Sequence, residues 1–208
     1  MDTEVVRILL VGDEKCGKTT FLSYVASNSS IEFQTSPAKP YIFRRLSAGE
    51  KVNPIPMLRD MDQPHIFEIR TGARQFRFEF FDTSCPDNWR TLDPDAIVIC
   101  FDISQRLSLI NMQRYWINEV KTAFRRIDTL PVIVLGLKRD LRSEDDPNGI
   151  IYPQEAYQSA QTLRADRYVE CSAVTGELLK LAFEDLCKTA ITPTTGVDSQ
   201  SASTCTIL

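Results

Sequence analysis

Eight residues near the start of the chain, Gly12-Asp13-Glu14-Lys15-Cys16-Gly17-Lys18-Thr19, leave few folds open. They satisfy G-x-x-x-x-G-K-S/T in full. Ahead of them, Val5–Val11 is a nearly continuous apolar run broken only by Arg7, as expected of a strand covered on both faces by helices. Behind them, Thr19–Ala26 carries Phe21, Leu22 and Val25 at helical spacing. Strand, glycine-bearing loop and helix in direct succession make a phosphate cradle. The glycines let the backbone turn so that successive N–H groups converge, and the positive end of the helix dipole adds to their pull on an anion. In such a loop Lys18 reaches the β- and γ-phosphates and the Thr19 hydroxyl takes a Mg²⁺ ion. The competing reading is a plain glycine turn capping a helix, but average residue usage yields this motif by chance in only about 1% of chains this long.

The remaining pattern extends the alternation of strand and helix. His65–Arg70 and Gln75–Phe81 flank Thr71-Gly72-Ala73, and the alternation Phe76, Arg77, Phe78, Glu79, Phe80 predicts a half-buried hairpin strand ending at Asp82. A strand follows at Ala96–Phe101, a helix around Leu107–Phe124 and a strand at Pro131–Leu137. Then come a helix near Gln154–Leu163, a strand at Arg167–Glu170 and a closing helix Gly176–Thr189. This order predicts an α/β fold with a largely parallel sheet and right-handed crossovers. Between Ser27 and about Gln63 the pattern dissolves, and Pro37, Pro40, Pro54 and Pro56 argue against a long regular element, so the segment reads as a mobile insert. Thr192–Thr204 is Ser/Thr-rich without hydrophobic period and reads as a disordered tail.

Composition narrows the classes further. The 208 residues, 43% hydrophobic and 25% charged, suffice for one domain with a full core and a short tail. A formal net charge of -4 supplies no global basic field, so no nucleic-acid partner is expected. The six cysteines, at 16, 85, 100, 171, 187 and 205, form no C-x-x-C pair and follow no secretory signal, which points to a reducing, cytoplasmic setting. The longest apolar runs, Ala96–Phe101 and Leu130–Leu137, are far shorter than the roughly 20 residues of a membrane-spanning helix.

Two carboxylates complete a candidate site. Asp82, at the end of the hairpin strand, suits the acidic group that holds a metal through water, although a lone Asp there is also a common cap. Asp140, in Lys138-Arg139-Asp140 after an apolar strand, can accept both N1–H and N2–H of guanine, a pair adenine does not offer.

Taken in order, these motifs resemble the Ras superfamily over about residues 4–190, and several segments resemble its Rho branch. Glu170-Cys171-Ser172-Ala173 is similar to the final guanine loop, Pro64-His65-Ile66-Phe67-Glu68 to the effector segment, and Asp140-Leu141-Arg142 with the acidic stretch after it to a shortened Rho-type insert. The resemblance implies a P-loop NTPase G domain over residues 1–190, with a mostly parallel six-stranded sheet, helices on both faces and the insert at about 27–63. It also implies GTP/GDP with Mg²⁺ as cofactors. Gly12, Glu14, Lys15, Cys16, Gly17, Lys18, Thr19 and Thr20 would take the phosphates, Lys138, Asp140, Ser172 and Ala173 the guanine, and Thr19 and Asp82 the metal, and Lys18 would be the catalytic cation. Effectors and regulators would meet residues of about 30–94. In the tail, 191–208, Cys205-Thr206-Ile207-Leu208 fits a prenylation signal whose final leucine favours geranylgeranyl. That places the protein on the cytoplasmic face of a membrane, the plasma membrane first. One lipid chain anchors only marginally and Thr189–Thr204 holds no Lys or Arg, so residence should be reversible or helped by a partner.

The chain also departs from the family. Glu14 stands where glycine is usual, crowding the γ-phosphate and the space an arginine finger uses. Ser84-Cys85-Pro86 replaces a small residue, glycine and glutamine, and Pro86 can neither position water nor donate a backbone N–H. Leu137 replaces asparagine before Lys138, and Val174 replaces lysine after Ala173; both should loosen guanine binding. The switch threonine aligns with His65, with Thr35 as the other candidate. Cys16 and Cys171 read as packing residues, as do Trp89 and Trp116. Two functions stay open: a switch that hydrolyses GTP slowly, and a nucleotide-bound scaffold without turnover, regulated by abundance or lipidation.

Overall fold

The computed structural model describes residues 3–27, 56–59, 62–71, 74–82, 89–124, 127–145 and 149–192. Strand β1 (Glu4–Gly12) leads into helix α1 (Lys18–Ser27). The hairpin β2 (His65–Thr71) and β3 (Arg74–Asp82) follows, then β4 (Ala96–Asp102). Helix α2 runs through an α-helical Arg106–Asn111, a π-helical turn Met112–Trp116 and a second α-helical Ile117–Ala123. Strand β5 (Val132–Leu137), helix α3 (Pro153–Thr162), strand β6 (Arg167–Glu170) and helix α4 (Leu179–Ile191) complete the order.

The six strands lie in the order β2-β3-β1-β4-β5-β6, and every pairing is parallel except the β2–β3 hairpin. Side chains alternate across a strand, so the unbroken apolar runs of β1 and β4 feed two separate cores. Ile8, Leu10, Val98 and Cys100 pack on one face with α1 and α4, while Leu9, Val11, Ile97, Ile99 and Phe101 pack on the other with α2 and α3. Phe183 of α4 anchors the first face, with its ring centroid 5.3 Å from Phe67 and 5.5 Å from Phe80. A fully buried side chain of this size contributes about 1.5–3 kcal/mol. The α/β class, the six strands and the helices on both faces thus match expectation.

The differences are local. The closing helix starts at Leu179 instead of Gly176, because Gly176 (φ 75) and Leu178 (φ 55) both hold left-handed backbone that a helix does not accept. The helix expected over Leu107–Phe124 is continuous but contains the π turn, which apolar spacing does not reveal. Of the 27–63 insert, Leu58 packs against the first core and its backbone N–H donates to Ser23 Oγ at 3.0 Å. The rest of that insert, apart from a few residues at its ends, lies outside the described residues, as does the tail from residue 193 onward. Among the described residues, no helix is long and apolar enough to cross a membrane.

Candidate functional site

The carboxyl ends of β1, β3, β4, β5 and β6 share one edge of the sheet. The chain leaves β1 toward the β3 side through α1, and leaves β4 toward β5 through α2 on the opposite face. That reversal opens the crevice in which parallel α/β sheets place their ligands.

The phosphate loop occupies the centre of this edge. Gly12 (φ 147) leaves no room for a side chain, since a Cβ there would overlap the Cys100 carbonyl oxygen of the neighbouring strand. Gly17 holds φ 114, where side chains are strained. Lys18 is 5% exposed and folds back over its own loop, donating from Nζ to the carbonyl oxygens of Gly12 and Asp13, both at 2.9 Å. An ammonium has three protons, and among the described residues the third has only the soft Cys16 Sγ at 3.8 Å, so it is available to an anion. Cys16 lies beneath, with its thiol pushed above the ordinary value by burial and pulled back in part by Lys18. It is inert packing, as expected. Glu14 and Lys15 point outward, their side chains 80% and 88% exposed and 3.9 Å apart, a pairing of little energetic weight. Thr20 is half-buried in the first turn of α1.

Thr19 and Asp82 are 63 positions apart in sequence, yet the Thr19 hydroxyl donates to the Asp82 carboxylate. Asp82 is itself fixed by a residue that sequence reasoning passed over. The Gln63 carboxamide donates to the Asp82 carbonyl at 2.6 Å and accepts from the Asp82 N–H at 3.1 Å, as a neighbouring strand would. His65 is buried and opens β2 opposite Phe80. Thr35, Thr83, Ser84, Cys85, Pro86 and Cys205 lie outside the described residues.

At the other end, Lys138 enters a left-handed turn (φ 59) and Asp140 stands exposed beyond it. Ser172, fully buried, donates from Oγ to Asp140 and accepts from the Thr175 N–H at 3.1 Å, which ties the two guanine-loop candidates together beside the buried Ala173. The loop rests on ion pairs absent from the motif reading. Arg142 clasps the buried Glu170 carboxylate with two bonds of 2.9 and 2.6 Å, and Arg139 approaches the same carboxylate at 3.4 Å and also pairs with Glu177. The Tyr168 hydroxyl donates to Glu170 as well, and burial with that carboxylate beside it raises the phenol well above its ordinary value. Leu137 is 1% exposed and packs in the core, so the position usually polar in the family is apolar packing here.

Between the two ends, a cavity of about 340 Å³ is bounded by the phosphate loop, Lys138 and the start of α2 at Gln105, Leu107 and Ser108. Two further groups were not anticipated. Asp13 is held from outside by α2, where the Trp116 Nε1–H donates to it at 2.7 Å and the Asn111 amide at 3.1 Å. The π turn places these two residues, five positions apart, over one carboxylate, so Trp116 does more than pack. Asp102 accepts from Lys138 Nζ at 2.6 Å. A strand ending Phe101-Asp102, like the one ending Phe81-Asp82, is a signal that could have directed attention to it. Trp89 is fully buried against Phe124, as expected of a packing residue.

Comparison with known proteins agrees with this geometry. The Ras family model matches residues 60–192. The GTP-binding protein RHO2 of Saccharomyces cerevisiae is 26% identical over 196 residues, covering 89% of this chain and 88% of its own length. The GTP-binding protein rho2 of Schizosaccharomyces pombe is 25% identical over 97% of this chain and 95% of its own length. The GTP-binding protein RHO1 of Candida albicans is 27% identical over 86% and 84%. With its sheet order, its phosphate loop and these relatives, the chain belongs to the Ras family and is a divergent, Rho-like member of that superfamily of small GTPases.

Proposed function

We propose that this protein binds GTP and GDP with Mg²⁺ and acts as a membrane-associated signalling switch whose GTP hydrolysis is slow. The observation that carries this reading is the convergence of the Lys18 ammonium, the Thr19 hydroxyl and the Asp82 carboxylate at the mouth of one glycine loop. Lys18 and the backbone of Gly12 to Thr20 would hold the phosphates, and Lys138, Asp140, Ser172 and Ala173 the guanine. Thr19 and Asp82 are hard oxygen donors that fit Mg²⁺. Among the described residues no group of three or more His, Cys, Asp or Glu gathers, so such an ion would complete its shell with phosphate and water. When bound, it would neutralise charge on the transferring phosphoryl group.

Slow turnover follows from Glu14, whose carboxylate at the loop rim repels phosphate, and from Pro86 in the position of the water-orienting glutamine. We assign residues 1–190 to the nucleotide-binding domain and 191–208 to a tail that carries a prenyl group on Cys205, with effectors and regulators engaging residues of about 30–94. The same two residues, Glu14 and Pro86, support the second reading, a nucleotide-bound scaffold without turnover.

Single-turnover release of phosphate from protein preloaded with GTP separates these. A slow release above buffer supports the switch, and none even with activating proteins supports the scaffold. Calorimetry that finds neither GDP nor GTP bound at millimolar concentration would remove both. Intact mass of the protein from cells that prenylate tests the tail.

A further inference from the structure

The Lys138 side chain does not run out into solvent. Its Cε passes 3.7 Å from where a Cβ on Gly17 would stand, and its Nζ ends on Asp102 Oδ2 at 2.6 Å. The end of the stem therefore passes the second glycine of the phosphate loop and finishes at the tip of β4. Asp102 is 5% exposed and cannot follow the lysine if it swings. Its Oδ1 accepts from the Ser104 N–H at 2.9 Å and the Ser104 hydroxyl at 2.7 Å. Its own N–H donates to Ser108 Oγ at 3.1 Å, and its backbone sits opposite Leu137 in the β4–β5 ladder. A lysine stem has much rotamer entropy to lose, and a stem already tethered loses a large part of it before any ligand arrives.

We propose that Asp102 is a positioning residue for purine binding: it sets the course of the Lys138 stem, whose methylenes then offer an apolar edge to the purine ring while Asp140 reads the base. This rests on the guanine-nucleotide reading given above. Leu137 cannot hold the lysine loop, because its alkyl side chain is buried in the core and makes no hydrogen bond. The carboxylate at the end of the adjacent strand holds it instead, through Lys138 Nζ. Contact between a methylene stem and a ring face does not depend on the exocyclic amine of guanine, whereas the Asp140 carboxylate does depend on it. The two acids therefore control different quantities, Asp102 the affinity for any purine and Asp140 the preference among purines.

Calorimetry on the full chain with Mg²⁺, using GDP and inosine diphosphate, tests this. Asp102→Asn keeps an acceptor for Ser104 but loses the charge. It should weaken GDP and inosine diphosphate by the same factor, about tenfold, as should Lys138→Gln. The double variant should bind no more weakly than Lys138→Gln alone, and Asp102→Glu should recover part of the loss. Asp102→Ser is the second variant should the asparagine form not fold, with the thermal midpoint of the nucleotide-free protein as the check. Wild-type affinity in folded Asp102→Asn or folded Asp102→Ser overturns the proposal. So does a double variant that loses the product of the two single factors, or a shift in the ratio of GDP to inosine diphosphate affinity, which would mean that the whole guanine loop had moved. A wild-type protein that binds neither nucleotide overturns the guanine reading itself, and this proposal with it; every other outcome presupposes that binding.

Discussion

At the phosphate-loop end of the crevice one contiguous segment builds its own shape, while at the proposed guanine end three distant segments hold one another. Gly12 to Thr19 turns because its glycines permit it, and Lys18 closes the loop by bonding carbonyls six and five residues back. The other end is made of side chains: Lys138 on Asp102, Arg142 and Arg139 on Glu170, Ser172 on Asp140, with partners 28 to 36 positions apart. A loop made by backbone leaves its outward side chains in solvent, as it does those of Glu14 and Lys15, although Lys15 itself holds left-handed backbone (φ 62). A loop made by paired side chains tolerates loss of one customary member, such as the asparagine replaced by Leu137, provided other pairs carry the geometry.

Removing the hub of the side-chain lattice should have the largest effect. Glu170→Ala leaves two guanidiniums facing a buried gap and should cost about 3 kcal/mol of unfolding free energy in urea. An unchanged midpoint would mean that the lattice holds nothing. Lys18→Ala, by contrast, should leave the sheet folded and weaken GDP and GTP about 100-fold by calorimetry, because it removes a charge-assisted contact and the clasp of the loop at once. If the two variants lose stability equally, the ends do not differ as argued.

Asp140→Asn should weaken GDP about tenfold and improve xanthosine diphosphate, since an amide can donate to the 2-oxo group where a carboxylate cannot. Equal losses for both would detach Asp140 from base reading. Glu14→Gly should raise single-turnover hydrolysis a few-fold, about 1 kcal/mol in the barrier, with little change in GDP affinity.

The smallest effect is expected beneath the phosphate loop. Burial raises the thiols of Cys16, Cys100, Cys171 and Cys187 above their ordinary value. The folded state therefore keeps thiol protons that the unfolded chain releases above about pH 8.5, and stability should fall as pH rises through that point. Cys16→Val should flatten that alkaline fall slightly and cost under about 1 kcal/mol at pH 7.

Much of the molecule was open to reading from residue order. The strands, their alternation and the phosphate loop all depend on interactions within a few residues, and such interactions print a local pattern. The start of α4 escaped because two left-handed residues, one of them leucine, interrupt an apolar period that continues through them. The anchoring of Asp13 by Trp116 and Asn111 escaped because it needs a π turn that no spacing announces. Gln63 escaped because its carboxamide imitates a strand partner only once the hairpin has brought Asp82 alongside.

By itself the order of residues determined that a glycine loop of phosphate-binding type would sit between the first strand and the first helix, with two acids, Asp82 and Asp140, at or just past strand ends where we propose that they meet the metal and the guanine. Which carboxylate each cation would find was left to the folded sheet. Asp102 and Lys138 become neighbours only because β4 and β5 lie side by side, and Arg142 reaches Glu170 only because β6 lies beside β5. Charge attraction has no sequence period, so its pairings are decided where the backbone ladder sets distances, and the ladder here is tertiary.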